Sequence, residues 1–474
     1  MISPVVPRTA ACRARAAVAL AAAWLLPGCV APPPPRPGEA VAVPPQWAQP
    51  LPPQGAGPIA GWWSVFGDPM LVQLVEAAQQ ANTDIGVAAA NLRQARAARD
   101  VAAADRWPGV SVSAAARRSR AAGGDGATRF DAGFDAAWEA DVFGATARGV
   151  AAQQALVRSS AATLASVQVS VAAEVALAYV DLRGAQVRTA VALENLASQE
   201  ETLQISRWRL QAGLASSLEV EQAVGAVEQT RAQVPVLRAA AARSAHALAL
   251  LTGQPPAALL ERLAPAGALP QPERGLAVAI PAAVLRQRPD VLAAEQQLRA
   301  AAERVAQADA RRRPSVNLAA SLSWSGVTLG GLGSAGAARL LLASIAQPLF
   351  DAGRLDAQLA AQRADYEAAS QRYRASVLGA LREVEDALAG LAAARERAVS
   401  LQRALEAARN AALLATQRHA SGLIDFQTVL ETQRTLLNVQ DGVAGAQAEL
   451  AADHVRLYKA LGGGWRAVPP EQPS

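Results

Sequence analysis

The chain has 474 residues; 51% are hydrophobic but only 4% aromatic, so any core is built mainly from Ala, Val and Leu. Three His and two Cys are too few for a disulfide scaffold or a Cys/His zinc cluster. The net charge is +5, but acids alternate with bases along most segments; this reads as solvated helix faces and argues against a nucleic-acid partner.

Arg8, Arg13 and Arg15 precede an uncharged apolar run from Ala16 to Leu26. A basic segment followed by a short apolar one predicts a secretory signal peptide over 1–28, and the run is too short to span a bilayer as a helix. It closes on Leu26-Pro27-Gly28-Cys29, which resembles a bacterial lipobox, with Pro27 where a small residue is usual. On that reading Cys29 is the lipidated mature N-terminus; the competing reading is an ordinary signal peptide with a chance Cys. Removing 1–28 takes three Arg and no acid, leaves a net charge of +2, and leaves no second Cys for an intrachain disulfide. Several acyl chains on one Cys suffice for stable anchoring. Val30, not Asp, follows Cys29, which by analogy with bacterial lipoproteins permits sorting to the outer membrane. A Pro-rich tether then spans 29–60. Beyond it the most apolar stretch, Ser159 to Val180, is interrupted by Gln168, Glu174 and Ser, and reads as a packed helix rather than a transmembrane one.

The mature chain is a duplication. Arg209, Gly213, Leu214, Val220, Leu248 and Gly253 recur as Arg418, Gly422, Leu423, Val429, Leu457 and Gly462. Phe143 pairs with Phe350 and Pro108 with Pro314 at nearly the same offset. The halves are 61–262 and 281–463, joined by a linker over 263–280 and followed by a tail over 464–474. In the first half Asp68-Pro69 starts a helix carrying Leu71, Leu74, Val75 and Ala78, and a second helix runs to about Arg106. Pro281 to Arg286, then Pro289 to about Arg313, repeat this in the second half.

After each helical segment comes period-two alternation. Phe130, Ala132, Phe134, Ala136 and Trp138 alternate with Asp131, Gly133, Asp135 and Glu139; between Val316, Leu318, Ala320, Leu322 and Trp324 lie Ser315, Asn317, Ser321, Ser323 and Ser325. Val110, Val112 and Ala114 repeat the pattern more weakly, and Leu340 to Gln347 is a fourth strand with poorer alternation. The strand pairs occupy about 109–143 and 315–350. One apolar and one polar face suits either a half-buried sheet or a membrane barrel wall. The export signal, and the lack of other sequence for the sheet to pack on, favour the wall. Four strands cannot close a barrel, so several chains must contribute.

Two long helical hairpins complete the halves, over about 145–252 and 354–461, with breaks at Gly213 and Gly422 and a kink expected at Pro235. At ~1.5 Å per residue their first arms would each reach roughly 100 Å. Leu196, Leu203 and Leu210, and Leu381, Val384, Leu388 and Leu391, read as coiled-coil seams.

Short motifs now occur in a specific order: Trp62-Trp63 with Phe66-Gly67-Asp68-Pro69; Asn82-Thr83-Asp84-Ile85 with Arg93 and Ala95; Trp138-Glu139-Ala140-Asp141-Val142-Phe143-Gly144; Arg288-Pro289-Asp290-Val291; Pro348-Leu349-Phe350-Asp351-Ala352-Gly353-Arg354; and the turns Gly213-Leu214 and Gly422-Leu423. Over nearly all of the mature chain they resemble the TolC-like outer-membrane efflux channel family, in its lipoprotein branch of OprM/NodT-type outer membrane factors. The resemblance implies a mainly α fold with membrane β: a homotrimer whose four strands per protomer make a 12-strand β-barrel, continued by a coiled-coil α-barrel with an equatorial domain. It implies that the tips, Gly213, Leu214, Ala215 and Ser216 with Gly422, Leu423 and Ile424, contact a periplasmic adaptor (membrane fusion) protein and close the channel. Family members commonly carry carboxylates just inside the tip, where symmetry makes a ring that filters ions. Glu431 matches one such position, Thr428 occupies another that is acidic in some members, and Asp425 is the acid that could stand in for it. Glu219 and Glu221 are weaker candidates, and a merely solvated acid is the competing reading of Glu431.

The implied function is a passive exit duct of a tripartite efflux system. It would pass small molecules such as drugs, with an inner-membrane pump of the resistance-nodulation-division (RND) class and outer-membrane lipid as further partners. Competing readings are a type I protein-secretion duct, a metal-efflux duct, or a periplasmic coiled-coil scaffold. No cofactor, metal or catalysis is expected: there is no GxxxxGK[ST] or HExxH motif, only two Met, and His246, His419 and His454 stand alone as surface or packed residues.

Overall fold

The structure is a computed structural model that describes residues 43–49, 60–120, 126–272, 281–332 and 336–465. The signal segment, Cys29 and most of the tether lie outside the described residues.

The duplication appears in matched elements. In the first half α1 (Pro69–Ala81) and α2 (Thr83–Ala104) lead to β1 (Gly109–Ser119) and β2 (Ala127–Ala140), then α3 (Ala145–Gln211) and α4 (Ser217–Leu251). A short turn of helix, α5 (Leu260–Leu263), precedes the second half. That half runs α6 (Pro281–Gln287), α7 (Pro289–Ala310), β3 (Ser315–Gly326), β4 (Ala338–Ala346), α8 (Arg354–Ala420) and α9 (Phe426–Ala460). The long arms α3 and α8 have 67 residues each and the return arms α4 and α9 have 35 each, so the hairpins are copies in length. Pro235 lies inside α4 without ending it.

The chain divides into two compact units. One comprises Arg96–Leu156 and Gln297–Ser370, the other Ala40–Ala95, Val157–Gln296 and Gln371–Ser474. In the first, the four strands form one antiparallel sheet in the order β1-β2-β3-β4. The register sorts the side chains by face. Val110, Val112, Ala114 and Ala116 lie opposite Ala136, Phe134, Ala132 and Phe130; the row continues through Leu322, Ala320 and Leu318 to Leu341, Ala343 and Ile345. Alternate positions place Ser111, Ser113, Asp131, Asp135, Glu139, Asn317, Ser321 and Ser323 on the other face. The apolar face is uncovered: Val112 is 73% and Ile345 75% exposed. Gly133 is required where β2 meets β3, because a Cβ there would come within 2.8 Å of the Leu322 carbonyl oxygen. Aspartates then start both long helices. Asp141 accepts from the Thr146 and Ala147 amides (3.0 and 2.7 Å), and Asp351 from Gly353 and Leu355 (3.0 Å each), satisfying donors that a helix N-terminus leaves free.

In the second unit the main core packs Val171, Ala172, Val175, Ala176 and Tyr179 of α3 against Leu248 of α4, Leu388 and Leu391 of α8, and Leu457 and Tyr458 of α9. By length and composition α3 and α4 could cross a membrane; part of the apolar stretch of α3 lies in this core, where Ala172, Ala173, Val175, Ala176 and Tyr179 are fully buried. Of the two expected seams, Val384, Leu388 and Leu391 are buried and Leu203 is buried, but Leu210 is exposed at the end of α3. Trp62 stacks on Tyr458 (5.0 Å between ring centroids, 11° between planes), which seats the N-terminal segment on α9. Asp68 does two jobs: Oδ1 caps α1 by accepting from the Met70 and Leu71 amides, and Oδ2 accepts from the Tyr179 hydroxyl at 2.7 Å. Arg183 donates to that hydroxyl at 3.0 Å and to the Pro265 carbonyl at 2.7 Å. Burial, then the hydrogen bond to Asp68, push the Tyr179 phenol up to about 12, so it remains a donor at any working pH.

Tyr179→Phe removes the donor to Asp68 and the acceptor for Arg183 together. It should cost about 1–2 kcal/mol, read as an earlier midpoint in denaturant unfolding of the detergent-solubilised protein. An unchanged midpoint would mean that the network does not hold the N-terminal segment.

Candidate functional site

The hairpin tips are built by one device used twice. At the end of α3, the Leu214 amide donates to the Arg209 carbonyl (2.7 Å) and Gly213 to Leu210 (2.9 Å); at the end of α8, Leu423 donates to Arg418 and Gly422 to His419 (2.9 Å each). Each is a Schellman close, which needs a left-handed residue at the glycine; Gly213 has φ 71° and Gly422 φ 74°. The return helices are then capped at the same repeat position. Ser216 caps α4 in a reciprocal box with Glu219, and Asp425 caps α9 by accepting from the Thr428 amide (2.9 Å) and hydroxyl. The turns present Leu214 and Leu423 to solvent, 70% and 73% exposed.

The caps sort the gate candidates. Asp425 and Thr428 hold each other at the start of α9, and those hydrogen bonds keep the Asp425 carboxyl below the usual carboxylate range. Glu219 is engaged in its own cap. Glu431 stands apart: it is exposed, accepts from Gln427 Nε2 (3.0 Å), and among the described residues belongs to no cap. Its counterpart in the first repeat is Gln222. Both line one cleft of about 570 Å³ between α4 and α9, together with Gln229, Gln233, Arg434 and Asn438. Apart from Glu431 and Arg434 the polar lining is neutral amide and hydroxyl, so one carboxylate and one guanidinium carry the charge of this cleft.

The two hairpins are tied together near the tips by residues that sequence reasoning passed over. Arg209 Nη1 of α3 lies 2.8 Å from His419 Nε2 of α8, while the other ring nitrogen of His419 lies 3.2 Å from the Ile424 carbonyl oxygen. The same ring packs on Phe426 (5.5 Å). Phe426 is buried among Leu203, Val220, Ala223 and Val227 of the first hairpin. Further along, Arg188 makes a two-point pair with Asp441 (2.6 and 2.9 Å), Asn195 donates to Gln440 (2.6 Å) and Gln433 to Thr202 (3.1 Å). The available signal was asymmetry within the repeat, since His419 stands where the first half has Leu210. His454 is a packed residue, held by the Leu450 carbonyl (2.7 Å) and lowered in pKa chiefly by burial.

Arg209→Ala removes the polar link between the tips and leaves each Schellman turn intact. A hydrogen bond from a charged group is worth roughly 1.5–3 kcal/mol, so amide hydrogen exchange at the turns should accelerate by about 10-fold or more. Unchanged exchange would show that Phe426 packing alone holds the tips together.

The profile of the "Outer membrane efflux protein" family matches residues 74–254 and 280–463, once for each half. The pyoverdine export outer membrane protein OpmQ of Pseudomonas aeruginosa is 32% identical over 461 residues, covering 94% of this chain and 96% of that protein. Nodulation protein T of Rhizobium leguminosarum bv. viciae is 30% identical over 425 residues, covering 89% and 88%. The solved outer-membrane channel OprN superposes with a TM-score of 0.83 at 37% identity, over 90% of this chain and 99% of that one. With its two repeats, four antiparallel strands and paired helical hairpins, the chain belongs to the outer membrane efflux protein family and is a non-enzymatic, outer-membrane channel of an efflux pump.

Proposed function

We propose that three copies of this chain close their sheets into a 12-strand barrel whose apolar face meets lipid and whose polar face lines the duct. The observation that carries this reading is the register: a sheet apolar on one face, polar on the other, and open at β1 and β4. The long hairpins then form the periplasmic tunnel. Their tips, Gly213 to Ser216 and Gly422 to Ile424, meet a periplasmic adaptor that links the duct to an inner-membrane pump of the RND class. The exposed Leu214 and Leu423 give such an adaptor an apolar hold on each hairpin. Cys29, after removal of 1–28, anchors the protomer to the outer membrane through the tether at 29–60. The cargo is small molecules; the relatives include exporters of pyoverdine and, in Pseudomonas putida, of toluene. The duct itself is passive, and the pump supplies the energy.

In this reading Glu431 supplies the gate charge. Each chain carries it once, because Gln222 stands at the matching position, so a trimer holds three carboxylates rather than six. Like charges around a narrow pore favour cations. Asp425 and Thr428 act one step removed, by fixing the start of the helix that presents Glu431.

Single-channel recording in planar bilayers tests the gate. Glu431→Ala with Thr428→Ala should enlarge the unitary conductance and reduce cation preference by about 2-fold or more, as expected when a charged constriction is neutralised. A variant with wild-type conductance and selectivity would remove Glu431 from the gate.

A further inference from the structure

The polar face of the sheet carries its charge unevenly. Among the described strand residues its charged side chains are Arg117 on β1 and Arg129, Asp131, Asp135 and Glu139 on β2; β3 and β4 contribute Ser, Asn, Ala and Leu. The acids extend along β2 toward the end that continues into α3. The arginines stand at the other end, next to the β1–β2 loop, and the register sets Arg117 directly opposite Arg129. From Glu139 to Arg129 the strand climbs roughly 30 Å at ~3.3 Å per residue, enough to cross the hydrocarbon layer even when tilted.

Opposed like charges on neighbouring strands destabilise a sheet, so the pairing needs a reason. Arg129 is partly compensated by Asp131 at 2.9 Å, whereas Arg117 has no ion pair or side-chain hydrogen bond among the described residues. Lipid does not supply the missing partner, because Arg117 and Arg129 share the face of Ser113 and Asp135 rather than that of Val112 and Phe134. Arg118 and Arg339 make the contrast: both fall on the apolar face, where an arginine at a strand end reaches lipid headgroups. Directly paired residues of one face stand side by side on adjacent strands, and each guanidinium is a planar donor suited to a carboxylate.

We propose that Arg117 and Arg129 form an anion-binding station on the duct wall at its outer mouth, taking small carboxylate-type oxyanions. This rests on the closed-barrel reading above and adds a cargo class to it. Anionic solutes leaving the duct pass the acids of β2 and are then drawn to the arginine pair, whose Asp131 partner is already in place to compete for Arg129 and release them.

Citrate titrated into the chamber facing the extracellular loops tests the station. Wild-type current should fall at millimolar citrate. Arg117→Ser with Arg129→Ser should need about 10-fold more citrate for the same block, since two charge-assisted contacts are lost. Arg118→Ser, on the lipid side, should keep wild-type sensitivity. Equal block in the double variant and wild type overturns the station, and so does an equal loss in Arg118→Ser. Absence of any conductance from all three proteins would overturn the closed-barrel reading and the station with it.

Discussion

A backbone amide or carbonyl left unpaired in hydrocarbon costs several kcal/mol, and that penalty governs this protein. One chain supplies four strands whose outer edges, on β1 and β4, have no partner within the sheet. The sheet also exposes an apolar face that water would not tolerate. Lipid relieves the second problem but worsens the first. In the proposed barrel both are relieved together, because other copies pair with the edges. Gly133 fits this arrangement locally, since strands that must curve into a wall approach too closely for a Cβ at that point.

The duplication sets the rest. Two halves with matched helix lengths place two Schellman turns and two capped return helices at equivalent positions. The tips diverge where the halves differ. Leu210 becomes His419, which reaches across to Arg209. Gln222 becomes Glu431, which gives the cleft its carboxylate. Ser217 becomes Phe426, an aromatic side chain that the first hairpin buries. Each change is a single residue on a shared scaffold, so the two hairpins keep one geometry while the contacts and charge at their tips differ.

Much of this architecture is legible in residue order. Period-two alternation locates β2 and β3 well because Phe130–Trp138 and Val316–Trp324 separate apolar from polar cleanly. The long helices are legible because no Pro lies between Ala145 and Gln211, or Arg354 and Ala420, and Gly is rare there. Pro235 predicts a kink in α4, and the helix spans that position without ending there. Cross-hairpin contacts are not legible. Arg209 and His419 lie 210 residues apart, and no local pattern reports which side chains meet across such a separation. The same limit applies to Asp425 and Thr428: spacing alone suits a charged ring as well as a helix cap, and only geometry shows that they bind each other. The in-register arginines need the strand alignment, which depends on pairing rather than on composition.

Covalent cross-linking between the sheet edges tests the central claim most directly. Cysteines at Ser113 on β1 and Ser344 on β4, joined by a short bis-maleimide in outer-membrane vesicles, should give products that end at three chains and include a closed ring. A ladder that continues beyond three, or monomers alone under conditions where both thiols are labelled, would contradict a barrel shared by three copies.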